Sequence, residues 1–209
     1  MDVLPDFRSI PITTMMLLTS GLLIILTTFN ILHPIQLVYS PTLVYDQKQY
    51  WRFITSFLYF GELKLNTLLH LNWVIYMSGV IEQHFFIKRS LDYTWLLFLG
   101  CNMVLFIRWI RVIDSPYLCI VLGNMLLYLV SRMLPRHNVN IVEIIEIPMR
   151  MLPIVYVFIG TAMYGISGIK INLVGYFVGH VLWYFAEIFP HITGIHLLRI
   201  QYRIERLLT

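Results

Sequence analysis

TTMMLLTSGLLIILTTFNIL, Thr13 to Leu32, is a run of twenty residues without a single charge. As a helix rising 1.5 Å per residue it is about 30 Å long, which matches the hydrocarbon core of a bilayer. The run is long for the apolar stretch of a secretory signal. No small-x-small cleavage pattern follows closely, so the segment is expected to be retained.

The remainder of the chain has the same character. Of its 209 residues 58% are hydrophobic and 12% are charged, with a mean hydropathy of +0.74. A soluble domain carries about 25% charged residues, so too few polar side chains are present to clothe a water-facing surface. Five Trp and thirteen Tyr suit aromatic belts at the two membrane interfaces. Cys101 and Cys119 both lie in apolar runs, which reads as inert buried thiols rather than a disulfide framework. The net charge of +4 does not imply nucleic-acid binding, because the basic residues stand between apolar runs and form no continuous patch.

Six spans are predicted, at residues 13–32, 65–81, 93–107, 117–130, 151–169 and 171–189, in a single membrane domain covering 1–209. Charge and proline mark the breaks, and between the last two spans the break holds little more than Lys170. His33 to Arg52, with Pro34 and Pro41, reads as a segment dipping into the headgroup region. No internal repeat of 20–50 residues is visible.

An even number of spans puts both termini on one side. That side would hold Arg8, Lys88, Arg89, Arg132, Arg136, Arg150, Arg199, Arg203 and Arg206. The other would hold Lys48, Arg52, Lys64, Arg108, Arg111 and Lys170. The excess makes the terminal side cytosolic. No Asn-x-Ser/Thr site offers an independent check. The third and fourth spans read as short, at about 21–23 Å, so that flanking Arg108, Trp109, Arg111 and Arg132 snorkel or the bilayer thins around them.

Several motifs occur in a telling order. Trp51-Arg52 stands in the first loop, and Tyr76 and Glu82 close the second span. Tyr128-Leu-Val-Ser-Arg132 and Leu152-Pro153 follow. Gly175-Tyr-Phe-Val-Gly179-His180 then leads into Trp183-Tyr-Phe-Ala-Glu187 and Pro190. With Ile10-Pro11-Ile12-Thr13, this order resembles the derlins, the protease-dead branch of the rhomboid superfamily, over about residues 5–195. The resemblance implies an all-α membrane protein with six transmembrane helices in a rhomboid-like (derlin) fold. It implies a non-catalytic role in endoplasmic-reticulum-associated degradation, helping misfolded proteins return to the cytosol. The implied location is the endoplasmic reticulum membrane. The implied partners are a membrane ubiquitin-ligase complex, misfolded clients and the lipid bilayer, with no cofactor. Long-tailed derlins end in a motif that binds a cytosolic AAA ATPase. None is seen before Thr209, so that contact is expected to be indirect, as in the short fungal-type members.

Trp51 and Arg52 are either an interfacial anchor or a structural element of the gate region, the guanidinium holding lipid phosphate or backbone carbonyls. Gly175 and Gly179, four apart, let a neighbouring helix approach closely. His180 is expected to make a buried polar contact, and Glu187 to lie near the cytosolic interface. With His191 and His196 beyond Pro190, no metal site is expected. Asn66, His70, Asn72, Asn102 and Asn124 are read as helix-packing groups or as a hydrophilic path for a polypeptide. Residues 195–208 read as an amphipathic helix on the membrane surface.

Two alternatives are carried. Gly165-Ile166-Ser167-Gly168 matches the Gly-x-Ser-Gly of active rhomboids. Here it follows five apolar segments, and a continuous helix would put His180 about 20 Å away. The second alternative, a small-solute or lipid transporter, would use the asparagines within the spans.

Overall fold

A computed structural model describes residues 9–135, 138–141, 145–195 and 198. Helix α1 (Pro11–Thr28) occupies the uncharged run. Pro11 opens it, where a missing N–H costs no intrahelical bond. Its threonines do not break it. Thr14, Thr27 and Thr28 donate to Ile10, Leu23 and Ile24 carbonyls four residues back, at 2.7–2.9 Å.

The first loop holds a 3-10 turn (Pro34–Gln36) and two short helices, α2 (Pro41–Tyr45) and α3 (Arg52–Leu58). Then come α4 (Leu65–Phe85), α5 (Ser90–Trp109) and α6 (Cys119–Met133). A small antiparallel hairpin follows, β1 (Asn138–Ile141) against β2 (Ile145–Pro148), with Val139 opposite Ile147. The stretch from Arg132 to Arg150 therefore holds more than a simple break. Helix α7 (Leu152–Trp183) passes through a π turn (Tyr184–Ile188) into α8 (Phe189–Thr193).

The protein is an all-α membrane protein. Pro11–Thr28, Ser90–Trp109 and Gly165–Thr193 are long and apolar enough to cross a membrane, while Cys119–Met133 and Met149–Ala162 are shorter apolar helices.

Helix α7 is a hairpin of two arms. Asn172 Nδ2 donates to the Tyr156 carbonyl at 3.0 Å, and the Tyr176 hydroxyl to the Pro153 carbonyl at 2.9 Å. A straight helix would hold residues 16 apart about 24 Å from each other. The reversal is at Gly165, with φ +61° and ψ −144°, a conformation open to glycine and costly for residues bearing a Cβ. The predicted boundary at Lys170 is thus five residues late. An exposed lysine is tolerated within the second arm, whereas a reversal needs the glycine.

Two more expectations are corrected. The third span is not short, because α5 has 20 residues and encloses the charges taken to bound it. Asp92 is buried in its first turn, 4.0 Å from Arg89, and Arg108 turns inward to Asp114 at 3.2 Å and over the Tyr39 ring. The short helices are α6, 15 residues, and the first arm of α7. Pro190 does not end the last helix. It cannot donate to a carbonyl of the preceding turn, and the wider π turn absorbs the misfit, with Phe189 N–H closing on the Tyr184 carbonyl. The helix stops at Gly194, φ +70°. His191 therefore sits on the helical continuation. The amphipathic tail predicted for 195–208 falls almost wholly outside the described residues.

Helix α6 is the central post, buried on nearly every side, with α4, α5 and α7 around it. Small residues permit this. A Cβ on Gly175 would lie 2.5 Å from Asn124 Cβ and 2.9 Å from the Val121 carbonyl oxygen. One on Gly179 would lie 2.9 Å from the Met125 carbonyl oxygen. Gly100 of α5 faces Met125, and Gly123 of α6 faces Val74 of α4. Backbones approach at the glycines, and dispersion contacts replace the hydrophobic drive that lipid does not supply.

Candidate functional site

A cavity of about 540 Å³ lies between α4, α6 and the two arms of α7. Asn66, His70 and Trp73 come from α4, Asn124 from α6, and Tyr156, Ser167 and Asn172 from α7. Asn124 Nδ2 donates to Asn172 Oδ1 at 2.8 Å, and Asn172 passes the chain on to the Tyr156 carbonyl. Both asparagines are buried. Gly160 makes room for them, since a Cβ there would fall 2.5 Å from Asn172 Nδ2. The Trp73 and Tyr156 rings stack across the cavity at 5.5 Å, joining α4 to the first arm of α7. Asn66, His70 and Ile120 also line a second cavity of about 330 Å³, which reaches Pro34, Tyr59, Glu62 and Lys64 in and beside the first loop. Polar groups thus run from the loop end of the bundle to a buried amide pair.

Of the five predicted polar residues, Asn66, His70 and Asn124 meet at this groove. Asn72 and Asn102 do not. Both are exposed, and Asn102 returns its Nδ2 to the Phe98 carbonyl of its own helix at 2.7 Å. Asn172 escaped the sequence reading because its partner lies across a hairpin whose turn was misplaced. The Gly-x-Ser-Gly at 165–168 was the available signal for that turn.

The first loop is fixed by Arg52 of the predicted pair, whose two members face opposite ways. Trp51 is exposed, whereas Arg52 is buried. Arg52 Nη1 donates to the Ile35 and Val38 carbonyls at 2.6 and 2.8 Å, and Nε to Gln49 Oε1 at 2.7 Å. Of the two roles open to the guanidinium, it takes backbone carbonyls. Thr55 adds a bond to the Leu37 carbonyl at 3.0 Å. The loop then docks on the start of α6 through Tyr39 N–H to the Pro116 carbonyl and Leu118 N–H to the Ser56 carbonyl, each 3.1 Å. Burial pushes the Tyr39 phenol up to about 12, with Tyr45 beside it acting in the same direction.

At the opposite end, Glu82 caps a helix other than its own. Its carboxylate accepts Ile12 N–H at 3.0 Å, Thr13 N–H at 2.8 Å and the Thr13 hydroxyl at 2.8 Å. Ile10, at the N-cap of α1, has no side-chain oxygen to offer, so the orphan donors of the first turn are satisfied from α4. The negative charge also suits a helix N-terminus. Ser78 continues the network to Thr13 Oγ1 at 2.8 Å and to the Tyr93 hydroxyl at 2.6 Å, tying α1, α4 and α5.

His180 makes a polar contact, but an exposed one. Its Nδ1 is 2.8 Å from the Tyr128 hydroxyl, which also accepts Arg132 Nε–H at 2.9 Å. The burial expected of it fails because this face of the second arm stands at the edge of the bundle, beyond Gly179. Glu187 accepts Trp183 Nε1–H at 3.0 Å. Among the described residues, no group of three or more His, Cys, Asp or Glu is placed to hold a metal ion.

These features define a class: an α-helical integral membrane protein with a polar-lined groove entering the bundle from one end. Within it, the chain belongs to the Der1-like family, whose model matches residues 10–200. It is 29% identical over 170 residues to Derlin-1.1 of Zea mays, covering 81% of this chain and 69% of that protein. It is 27% identical over 199 residues to Derlin-2.2 of Arabidopsis thaliana, covering 90% and 80%.

Proposed function

We propose that this chain is a non-catalytic derlin of the endoplasmic reticulum membrane, and that it assists the return of misfolded proteins to the cytosol. The observation that carries this is the groove. Buried amides facing an open cavity between helices are costly in lipid unless they are paired or wetted. Asn66, His70, Asn124, Asn172 and Ser167, from the three helices around the cavity, offer a polypeptide backbone both donors and acceptors. The 15-residue α6 beside it, about 22 Å long, suits a locally thinned bilayer.

The six-span topology with cytosolic termini is part of the same reading. The two arms of α7 supply the fifth and sixth crossings. Arg89 at the start of α5, Arg132 at the end of α6 and Arg150 before α7 gather at the end where Glu82 holds α1. Proteolysis is not favoured. Ser167 and His180 lie thirteen residues apart on one helical arm, about 20 Å, and His180 is engaged by Tyr128. A membrane ubiquitin ligase would act on the emerging client.

The test is a chase of a misfolded lumenal reporter in cells lacking the chain and any redundant relative. Wild type should restore clearance, and Asn124→Leu/Asn172→Leu should slow it severalfold at equal protein level. Unchanged clearance without the chain would remove the assignment.

A further inference from the structure

A second large cavity, about 530 Å³, lies between the end of α6 and the beginning of α7, away from the polar groove. Its wall is amphipathic along its length. Arg132, in the last turn of α6, and Arg150, in the 3-10 turn before α7, stand at one end. Ile154 and Val157, one turn apart on the first arm of α7, and Leu173 of the second arm make the apolar remainder. Among the described residues no carboxylate lines it and neither arginine forms a salt bridge.

Arg132 is not a side chain merely reaching for water. Its Nε–H is tied to the Tyr128 hydroxyl at 2.9 Å, and the guanidinium lies over the Tyr128 and Trp183 rings at 5.2 and 5.5 Å. With Nε engaged and the plane fixed by two rings, the terminal Nη groups are held in position for an oxyanion. A free phosphate would satisfy the arginines but leave the apolar wall without an occupant. An acyl chain continues naturally from a phosphate into that wall.

We propose that this cavity is a site for one anionic phospholipid, its phosphate held by Arg132 and Arg150 and one acyl chain lying along Ile154, Val157 and Leu173. A zwitterionic choline headgroup is disfavoured, because among the described lining residues no carboxylate is present to receive its ammonium. Bound there, the lipid bridges α6 to the first arm of α7, adding to the buried Leu152 at its base, the Asn172 and Tyr176 bonds to the second arm and the Trp73 stack to α4.

The full chain, purified in detergent, is titrated with phosphatidylinositol or phosphatidylcholine and read by native mass spectrometry. One equivalent of phosphatidylinositol should be retained, with a preference over phosphatidylcholine of about tenfold or more. Arg132→Gln/Arg150→Gln should abolish the preference, and Arg150→Gln alone, at an exposed position, should weaken it about threefold. Ile154→Trp, which fills the apolar wall and keeps both arginines, should also lower retention. Millimolar inorganic phosphate should not displace the lipid. Equal retention of the two lipids, retention indifferent to the arginine and Ile154 variants in protein of unchanged melting temperature, or full displacement by phosphate would each overturn the site.

Discussion

Glu82 and Thr13, 69 residues apart, are joined by two 2.8 Å hydrogen bonds to one carboxylate oxygen, from the Thr13 N–H and from its hydroxyl. The carboxylate serves as the missing N-cap of α1. Glu82→Ala leaves at least two donors in a buried setting. At about 1.5–3 kcal/mol for a bond to a charged group, melting in detergent should fall clearly. Glu82→Gln should fall less, since one acceptor oxygen remains, and Thr13→Val least of all.

The glycines facing α6 sort by what a methyl group would meet. Gly175→Ala and Gly179→Ala push against backbone atoms of α6, and an overpacked contact costs about 1–3 kcal/mol. Gly21→Ala, where a Cβ meets nothing within 4 Å, should be neutral or mildly stabilising. Thermal unfolding of the three variants side by side tests this ordering.

Trp51 and Arg52 should separate in experiment. Arg52→Gln cannot reach both the Ile35 and Val38 carbonyls, so hydrogen exchange in residues 33–50 should speed by about 10–100-fold, from about 1.5–3 kcal/mol of lost charged hydrogen bonding. Trp51→Ala should leave that exchange unchanged, because the ring is exposed and holds no part of the loop.

The Asn124–Asn172 pair invites a double-mutant cycle. Asparagine pairs within membrane helices couple by about 0.6–2 kcal/mol. Asn124→Leu and Asn172→Leu should therefore be less than additive in unfolding free energy, while Asn102→Leu paired with Asn172→Leu should add.

Much of the fold was legible because lipid enforces a simple rule: an uncharged run of about twenty residues holds a helix, as the run from Thr13 does through Thr28. The same rule misled wherever a charge was folded inward. Asp92 and Arg108 lie inside α5, and hydropathy cannot show that each finds a partner in three dimensions. It failed again at the α7 turn, because Lys170 is a louder signal than Gly165, although only the glycine carries the backbone angle of a reversal. At the site, residue types were readable and pairings were not. Asn124 stood out as an amide in an apolar run, but nothing in its neighbours pointed to Asn172. Glu82 stood out too, yet its role depends on Ile10 having no side-chain oxygen to cap α1. Asn72 and Asn102 have the same residue type as Asn66, but Asn72 occupies another face of α4 and Asn102 lies on α5.

On the proposed function, the groove touches the client. A photoreactive amino acid placed at Asn66 or Ser167, both exposed in the groove, is compared with the same residue at Asn72 or Asn102, exposed outside it. In cells degrading a misfolded lumenal reporter, crosslinks to the reporter should form from Asn66 and Ser167 and be near background from Asn72 and Asn102. Equal crosslinking from all four positions, or none from the groove while degradation still depends on the chain, would contradict the account.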